Sequence, residues 1–301
     1  MERRNLMQRK SICYVLAAGI LWGCMGLFVR RLNAFGLFAM DVVQLRITPA
    51  ALFIGLYLLL FNRKAFHIRL KDLWCFLGTG IVALLLFTLC YFSGMQVTSL
   101  SVMGVLLYTA PIFVTLISAA LFRERLTVRK LVALAMCVAG CCLVSGIGAG
   151  EPVSTRGILL GLGSGFFYAL YSVFSRFAIN RGYGSWTITF YTFLFCALGD
   201  AFLSDWPLLA STLRLQPVVI IWGLTMALFT AFVPYVLYTR GLEGMESSKA
   251  SMIASVEPVV ATIVGAAVFR EPITALHAVG IALVVGGIVV LSLKDRKKAA
   301  Q

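Results

Sequence analysis

The chain has 301 residues, of which 60% are hydrophobic and only 13% charged, and its mean hydropathy is +0.95. Soluble domains are about a quarter charged and under half apolar, and a single aqueous core stops growing near roughly 250–300 residues. The composition therefore excludes an ordinary soluble protein, and because a membrane crossing takes about 20 residues, it leaves no room for a separate soluble domain beside roughly ten crossings.

In chain order, apolar runs predict spans at 11–29, 42–61, 73–94, 101–122 and 128–147, and then at 157–179, 186–206, 217–239, 248–269 and 275–293. The first run follows Arg3, Arg4, Arg9 and Lys10 and continues to Val29 without a small-residue cleavage site, so it reads as a retained helix rather than a secretory leader. It carries Trp22 and the glycines Gly19 and Gly23; the sixth run carries Tyr168 and Gly157, Gly161 and Gly165. Glycines at four-residue spacing let helices approach closely, and the aromatic pair offers flat walls to an amphipathic ligand or to the packing. The second run holds Arg46, with Gln44 nearby and Asp41 at its entrance. Its guanidinium can fork onto a substrate carboxylate, snorkel to headgroups, or pair with Asp41.

The fourth and ninth runs each contain a proline, Pro111 and Pro258, which removes a backbone donor and is expected to free a carbonyl one turn earlier. Tyr108 and Thr109 precede the first; Ser255 and Thr262 flank the second, and their hydroxyls can serve a polar substrate or bond their own preceding carbonyls. Glu257 is the one acidic residue expected deep in a span. At ~1.5 Å per residue it lies roughly 13 Å beyond Ser248, where an ionised carboxylate costs at least ~2.5–3.5 kcal/mol. It must be protonated, paired or facing a wet cavity, which suits either a proton-coupling or substrate-amine site or a brace in helix packing. Trp74, Trp186 and Trp206 fall near span ends as interfacial anchors. All eight cysteines lie within predicted spans and form no disulfide framework or metal pair, which fits packing.

The formal net charge is +14. With the N-terminus inside, the inner segments collect twenty of the 26 basic residues and the outer side only Arg30, Arg31, Arg46, Arg156, Arg214 and Arg270. By the positive-inside rule both termini are cytoplasmic, and the positive charge serves topology and anionic lipid rather than nucleic acid.

The stretch Tyr91–Leu143 matches Tyr238–Val290 without a gap, 147 residues apart. Tyr91 pairs with Tyr238, Ser101 with Ser248, Pro111 with Pro258 and Thr115 with Thr262; Phe122, Arg123 and Glu124 repeat as Phe269, Arg270 and Glu271, and Thr127 as Thr274. More loosely, Gly19, Trp22 and Arg30 correspond to Gly165, Tyr168 and Arg176. Glu257 falls opposite Ala110, so whatever its carboxylate does is done in one half only. Each half, 11–147 and 157–293, thus holds five predicted spans. Five is odd, so the second half enters the membrane from the opposite side, a construction recurrent in secondary transporters with their substrate site between the halves. The expected fold is an all-α integral membrane protein of ten transmembrane helices in two inverted five-helix repeats.

The Phe-Arg-Glu-Arg-Leu-Thr segment at 122–127, its counterpart Phe-Arg-Glu-Pro-Ile-Thr at 269–274, and Glu257-Pro258 resemble the EamA family of the drug/metabolite transporter superfamily, over about residues 11–293. The resemblance implies secondary transport of small metabolites, amino acids or related compounds, as efflux across a bacterial inner membrane. The expected partners are a small-molecule substrate, the lipid bilayer and protons; the sequence assigns no oligomeric state, and no cofactor is implied. An uncoupled facilitator or channel is the main alternative. A membrane enzyme or scaffold is disfavoured: there is no H-E-x-x-H, Walker loop or nucleophile elbow, and Ser164 between Gly163 and Gly165 has no base supplied by the sequence.

Overall fold

The computed structural model describes residues 2–37, 40–145 and 154–293, and among them the secondary structure is helical, with no strand. The main helices are α1 (Met7–Asn33), α2 (Met40–Phe61), α3 (Leu70–Met95), α4 (Ser101–Phe122), α5 (Val128–Val144), α6 (Thr155–Asn180), α7 (Ser185–Asp200), α8 (Val218–Gly244), α9 (Ser247–Phe269) and α10 (Ala275–Ser292). Eight are long and apolar enough to cross a membrane; α5 and α7, of 17 and 16 residues, are shorter. The expected seventh span, 186–206, is therefore cut. The helix stops at Asp200, the Trp206 indole donates to the carbonyl of Ala201 (2.7 Å), and Asp205 caps a separate short helix, Trp206–Leu215, by accepting from the backbone N–H of Leu208 (3.0 Å). Apolar Phe202, Leu203 and Trp206 prolong the hydropathy signal past a polar turn that ends the helix. Positions 146 and 147 of the expected fifth span lie outside the described residues.

Both α4 and α9 are interrupted at equivalent points. The first divides into Leu100–Leu107 and Ala110–Phe122, the second into Ser247–Ala254 and Val256–Phe269. Pro111 and Pro258 stand in the first turn of the second pieces, where a missing N–H has no helical partner to lose. The breaks thus precede the prolines, a correction to the expectation of prolines kinking continuous helices. The halves also share a π-helical stretch, Gly78–Leu85 in α3 and Ala227–Phe232 in α8. They share left-handed caps at Arg123 (φ 56°, ψ 34°) and Arg270 (φ 57°, ψ 31°), which turn the chain sharply after α4 and α9. The Thr127 and Thr274 hydroxyls accept from the N–H groups of Lys130 and His277, each at 3.3 Å, capping α5 and α10.

The halves interlock through glycine. A Cβ on Gly19 of α1 would come within 2.6 Å of Val256 and 3.2 Å of the Ala254 carbonyl at the break in α9. One on Gly165 of α6 would come within 2.8 Å of the Leu106 carbonyl and of Thr109 at the break in α4. Helices α5 and α10 cross the same way: a Cβ on Gly140 would meet the Gly280 carbonyl at 2.7 Å, and one on Gly287 the Ala133 carbonyl at 3.0 Å. Going along α5 from Ala133 to Gly140 runs back along α10 from Gly287 to Gly280, so the two are antiparallel at this seam. Gly23 offers a test of the interlock, because its Cβ would lie 2.7 Å from the Glu257 carbonyl oxygen and 2.6 Å from Val260. Gly23→Ala is expected to destabilise the folded protein by about 1–3 kcal/mol, read as a lower midpoint of thermal unfolding in detergent; an unchanged midpoint would show that α1 can retreat from α9 at no cost.

Candidate functional site

Between the helices lies a cavity of about 490 Å³, well inside the usual range for small-molecule sites. Its mouth is at the helix ends bearing Arg30, Asn33, Ser145 and Glu271, and its floor is formed by Trp22, Arg46, Tyr108, Tyr168, Tyr235 and Glu257. Beneath the floor a second pocket of about 20 Å³, room for one water, is lined by Tyr108, Pro111, Tyr168, Tyr238, Ser255 and Glu257. Glu257, Tyr108 and Tyr168 line both, and so form the partition between them. The break in α9 brings about this placement: it starts a new helix at Val256 and sets Glu257 in that helix's first turn, where the partial positive charge of the helix N-terminus favours a carboxylate.

Glu257 shares the cavity lining with the Tyr168 phenol and with Arg46, whose positive charge acts on the carboxyl group. Arg46 is buried; its Nη2 donates to the Thr230 carbonyl in the π-helical stretch of α8 (2.7 Å), while its Nε has no protein partner. The salt bridge to Asp41 considered from the sequence is not formed. The Asp41 carboxylate instead accepts from the backbone N–H of Asp205 (2.9 Å). Trp22 is also buried with its indole N–H unpaired, and its ring packs edge-on against Tyr235 at 5.1 Å between centroids. Unspent donors on Trp22 and Arg46 and an acidic floor at Glu257 let the cavity take a ligand bearing both acceptor and donor groups.

The structure brings most of the sequence-selected residues to this place. Trp22, Arg46, Pro258 and Thr262 line the large cavity, Pro111 and Ser255 the small pocket, and Tyr108, Tyr168 and Glu257 both. Thr109 is not among the lining residues. It packs against Gly165, and its hydroxyl donates to the Leu106 carbonyl (2.6 Å). The Ser255 and Thr262 hydroxyls likewise donate to backbone, at Ser251 (3.4 Å) and Pro258 (3.0 Å), which leaves their oxygens able to serve only as acceptors.

Beyond the small pocket the path is closed by polar contacts that the sequence did not disclose. The Ser172 and Tyr238 hydroxyls meet at 2.7 Å, as do those of Tyr171 and Thr239. Arg176 donates to the Met245 carbonyl and, through Nε, to Ser247 Oγ (3.1 Å). Glu124 accepts from the N–H groups of Ser247 (2.8 Å) and Ser248 (3.3 Å) and from the Ser248 hydroxyl, so it sits on the N-terminus of α9. Buried Lys130 donates to Ser248 Oγ (3.0 Å) and lies 3.5 Å from Glu124 and 2.8 Å from Glu246, which Lys249 also approaches at 3.0 Å. Burial raises the pKa of Glu246, but hydrogen bonds and charge from Lys130 and Lys249 outweigh it and hold the pKa below its ordinary 4.5. The one sequence signal for this latch is that Glu124 and Ser248 belong to the repeat identities, with Glu271 and Ser101 opposite them.

A description of this architecture exists as a family profile, the EamA-like transporter family, and the profile matches twice, over residues 9–146 and 155–293. The chain belongs to the EamA-like transporter family. It is 25% identical to an uncharacterized transporter, YetK, of Bacillus subtilis, across 100% of this chain and 97% of that protein. It is 30% identical to an uncharacterized transporter of Archaeoglobus fulgidus, across 66% of this chain and 70% of the other. A protein of known crystal structure with 18% identity has the same fold, with a TM-score of 0.79 over 96% of this chain and 99% of that one. As an EamA protein with eight long apolar helices among the described residues, the chain is an integral, multi-pass membrane transporter of small solutes.

Proposed function

We propose that this EamA protein is a proton-coupled exporter of small metabolites carrying an amine and a carboxylate, amino acids or related compounds, built as two inverted five-helix halves in a bacterial inner membrane. The observation that carries the reading is the floor of the cavity, where Glu257 stands between the open chamber and the closed path, facing Arg46 and Tyr168. A carboxyl group at such a partition can take a proton from one side and yield it when substrate displaces it, while Arg46 and Trp22 offer donors to the substrate carboxylate. The aromatic walls suit its apolar part.

Two structural features support the inverted arrangement. The exchange of Gly140–Gly280 for Gly287–Ala133 across an antiparallel helix pair fits a two-fold axis perpendicular to the helices. The left-handed caps recur at the offset of the sequence repeat, and the breaks and π-helical stretches recur close to it. With both termini inside, as the distribution of Lys and Arg favours, the mouth at Arg30 and Glu271 faces outward and the latch at Glu124 faces the cytoplasm.

Two experiments test this. Untargeted profiling of medium and cell contents, with and without the protein, is expected to find at least one zwitterionic metabolite depleted inside and enriched outside; no change in any pool would contradict export. Cysteines placed at Ala65 and Ala299 are expected to react with impermeant thiol reagents only from the cytoplasmic side, and labelling from outside alone would reverse the topology.

A further inference from the structure

Glu271 is the repeat counterpart of Glu124, and the two are presented by the same backbone. Each follows an arginine in the left-handed conformation, and each backbone N–H reaches back to a helix carbonyl at 3.3 Å, Glu124 to Ser118 and Glu271 to Gly265. Their partners differ. Glu124 is seated on the N-terminus of α9 and on the Ser248 hydroxyl, whereas Glu271 pairs with Arg30 at 2.5 Å, both about half exposed. Ser101, the counterpart of Ser248, lies in the first turn of α4, after the N-cap Ser99, and both Ser101 and Glu271 line the cavity. The chamber is open at the end where the carboxylate is away from its helix N-terminus and closed at the end where it is seated there. The pseudo-symmetry between the halves makes the opposite state the exchange of these two arrangements.

We propose that Glu124 and Glu271 are alternating gate carboxylates: as the outer mouth closes, Glu271 leaves Arg30 and seats on the N-terminus of α4 and the Ser101 hydroxyl, while Glu124 leaves α9 and opens the inner side. This rests on the transport reading above and adds the residues that hold each state. The asymmetry of the two sites gives a resting preference. Lys130 braces the inner latch, but its counterpart is His277, engaged with Thr274 in capping α10, so the inner latch is the stronger of the two. The resting protein accordingly faces outward.

The test reads accessibility and needs no cargo. With Ala261, a cavity residue, replaced by cysteine, an impermeant maleimide added to intact cells reports outward opening above the native-cysteine background. Adding Glu124→Gln removes the charge that three hydrogen bonds hold, which should shift the outward-to-inward ratio by roughly a hundredfold or more and so lower that outside labelling, because the closed outer state gains population. Adding Glu271→Gln on top should restore the labelling. Independently, Ser101→Cys with Glu271→Cys should form a disulfide under mild oxidation in folded protein, mapped by mass spectrometry. The proposal is overturned if Glu124→Gln leaves labelling unchanged, if Glu271→Gln fails to reverse it, or if the cysteine pair never cross-links. Switching without solute flux would sink the transport reading alone; flux without switching would sink this one alone.

Discussion

Glu257→Gln is expected to abolish concentrative export while leaving the protein folded and able to exchange substrate for substrate. The carboxyl group lines both the open chamber and the small pocket beneath it, so a proton held there is placed to be traded for cargo. Glutamine has nearly the same shape but cannot release a proton. One proton moving down 100 mV supplies about 2.3 kcal/mol, enough for a concentration ratio of roughly 50-fold, and an accumulation ratio of that size should disappear in the variant. Exchange without net proton movement needs only the alternation of the two halves and should persist. Normal gradient-driven flux in Glu257→Gln would return the carboxylate to a structural role, bracing the first turn of the second piece of α9.

Lys130→Met is expected to be the most disruptive substitution in the latch. The ammonium is buried between Glu124, also buried, and Glu246, which is 39% exposed. Removing one partner of a buried pair costs about 3–5 kcal/mol, and screening of the half-exposed Glu246 puts the loss at the lower end, about 3 kcal/mol. The protein escapes the penalty by letting Glu124 and Glu246 into water, which opens the inner side. Lower thermal stability in detergent and faster labelling of a cysteine at Ser251 from the cytoplasmic side are the expected readings; Lys130→Arg should keep most of both. The latch should also weaken in acid. The pKa of Glu246 is depressed in the folded protein, so its contribution is complete above its ordinary value of 4.5 and is lost as pH falls through the depressed one. Wild-type latching is therefore expected to be flat from neutral pH down to about 4.5 and to loosen below it; loosening that begins near pH 7 would assign it to another group.

Much of the architecture could be read from apolar run lengths and from the register of Phe122-Arg123-Glu124 on Phe269-Arg270-Glu271, because a helix in lipid must satisfy its own backbone and leaves a plain hydropathy signal. The boundary at Asp200 was not legible: Phe202, Leu203 and Trp206 are as apolar as a span, and only the local capping by Asp205 ends the helix. The site divided along similar lines. Glu257 stands out because burying a carboxylate is costly anywhere in a membrane, and its proximity to Trp22, Arg46 and Tyr168 follows from the glycine contacts that press α1 and α6 against the broken helices. Thr109 shows the limit of that logic, since one residue of helical rotation turns its hydroxyl onto Gly165 and away from the cavity. The latch was silent because it joins Glu124 to Ser247 across 123 positions, and hydropathy carries no information about which turn docks on which helix end.

The most direct test of the central claim is the ratio of inside to outside concentration of the exported metabolite in cells making the wild-type protein, before and after the proton gradient is collapsed with a protonophore. A coupled carrier should hold the inside pool below the outside one and lose that difference when the gradient goes. If the pools are already equal across the membrane, or if a difference persists unchanged after collapse, the protein does not use protons to drive its cargo.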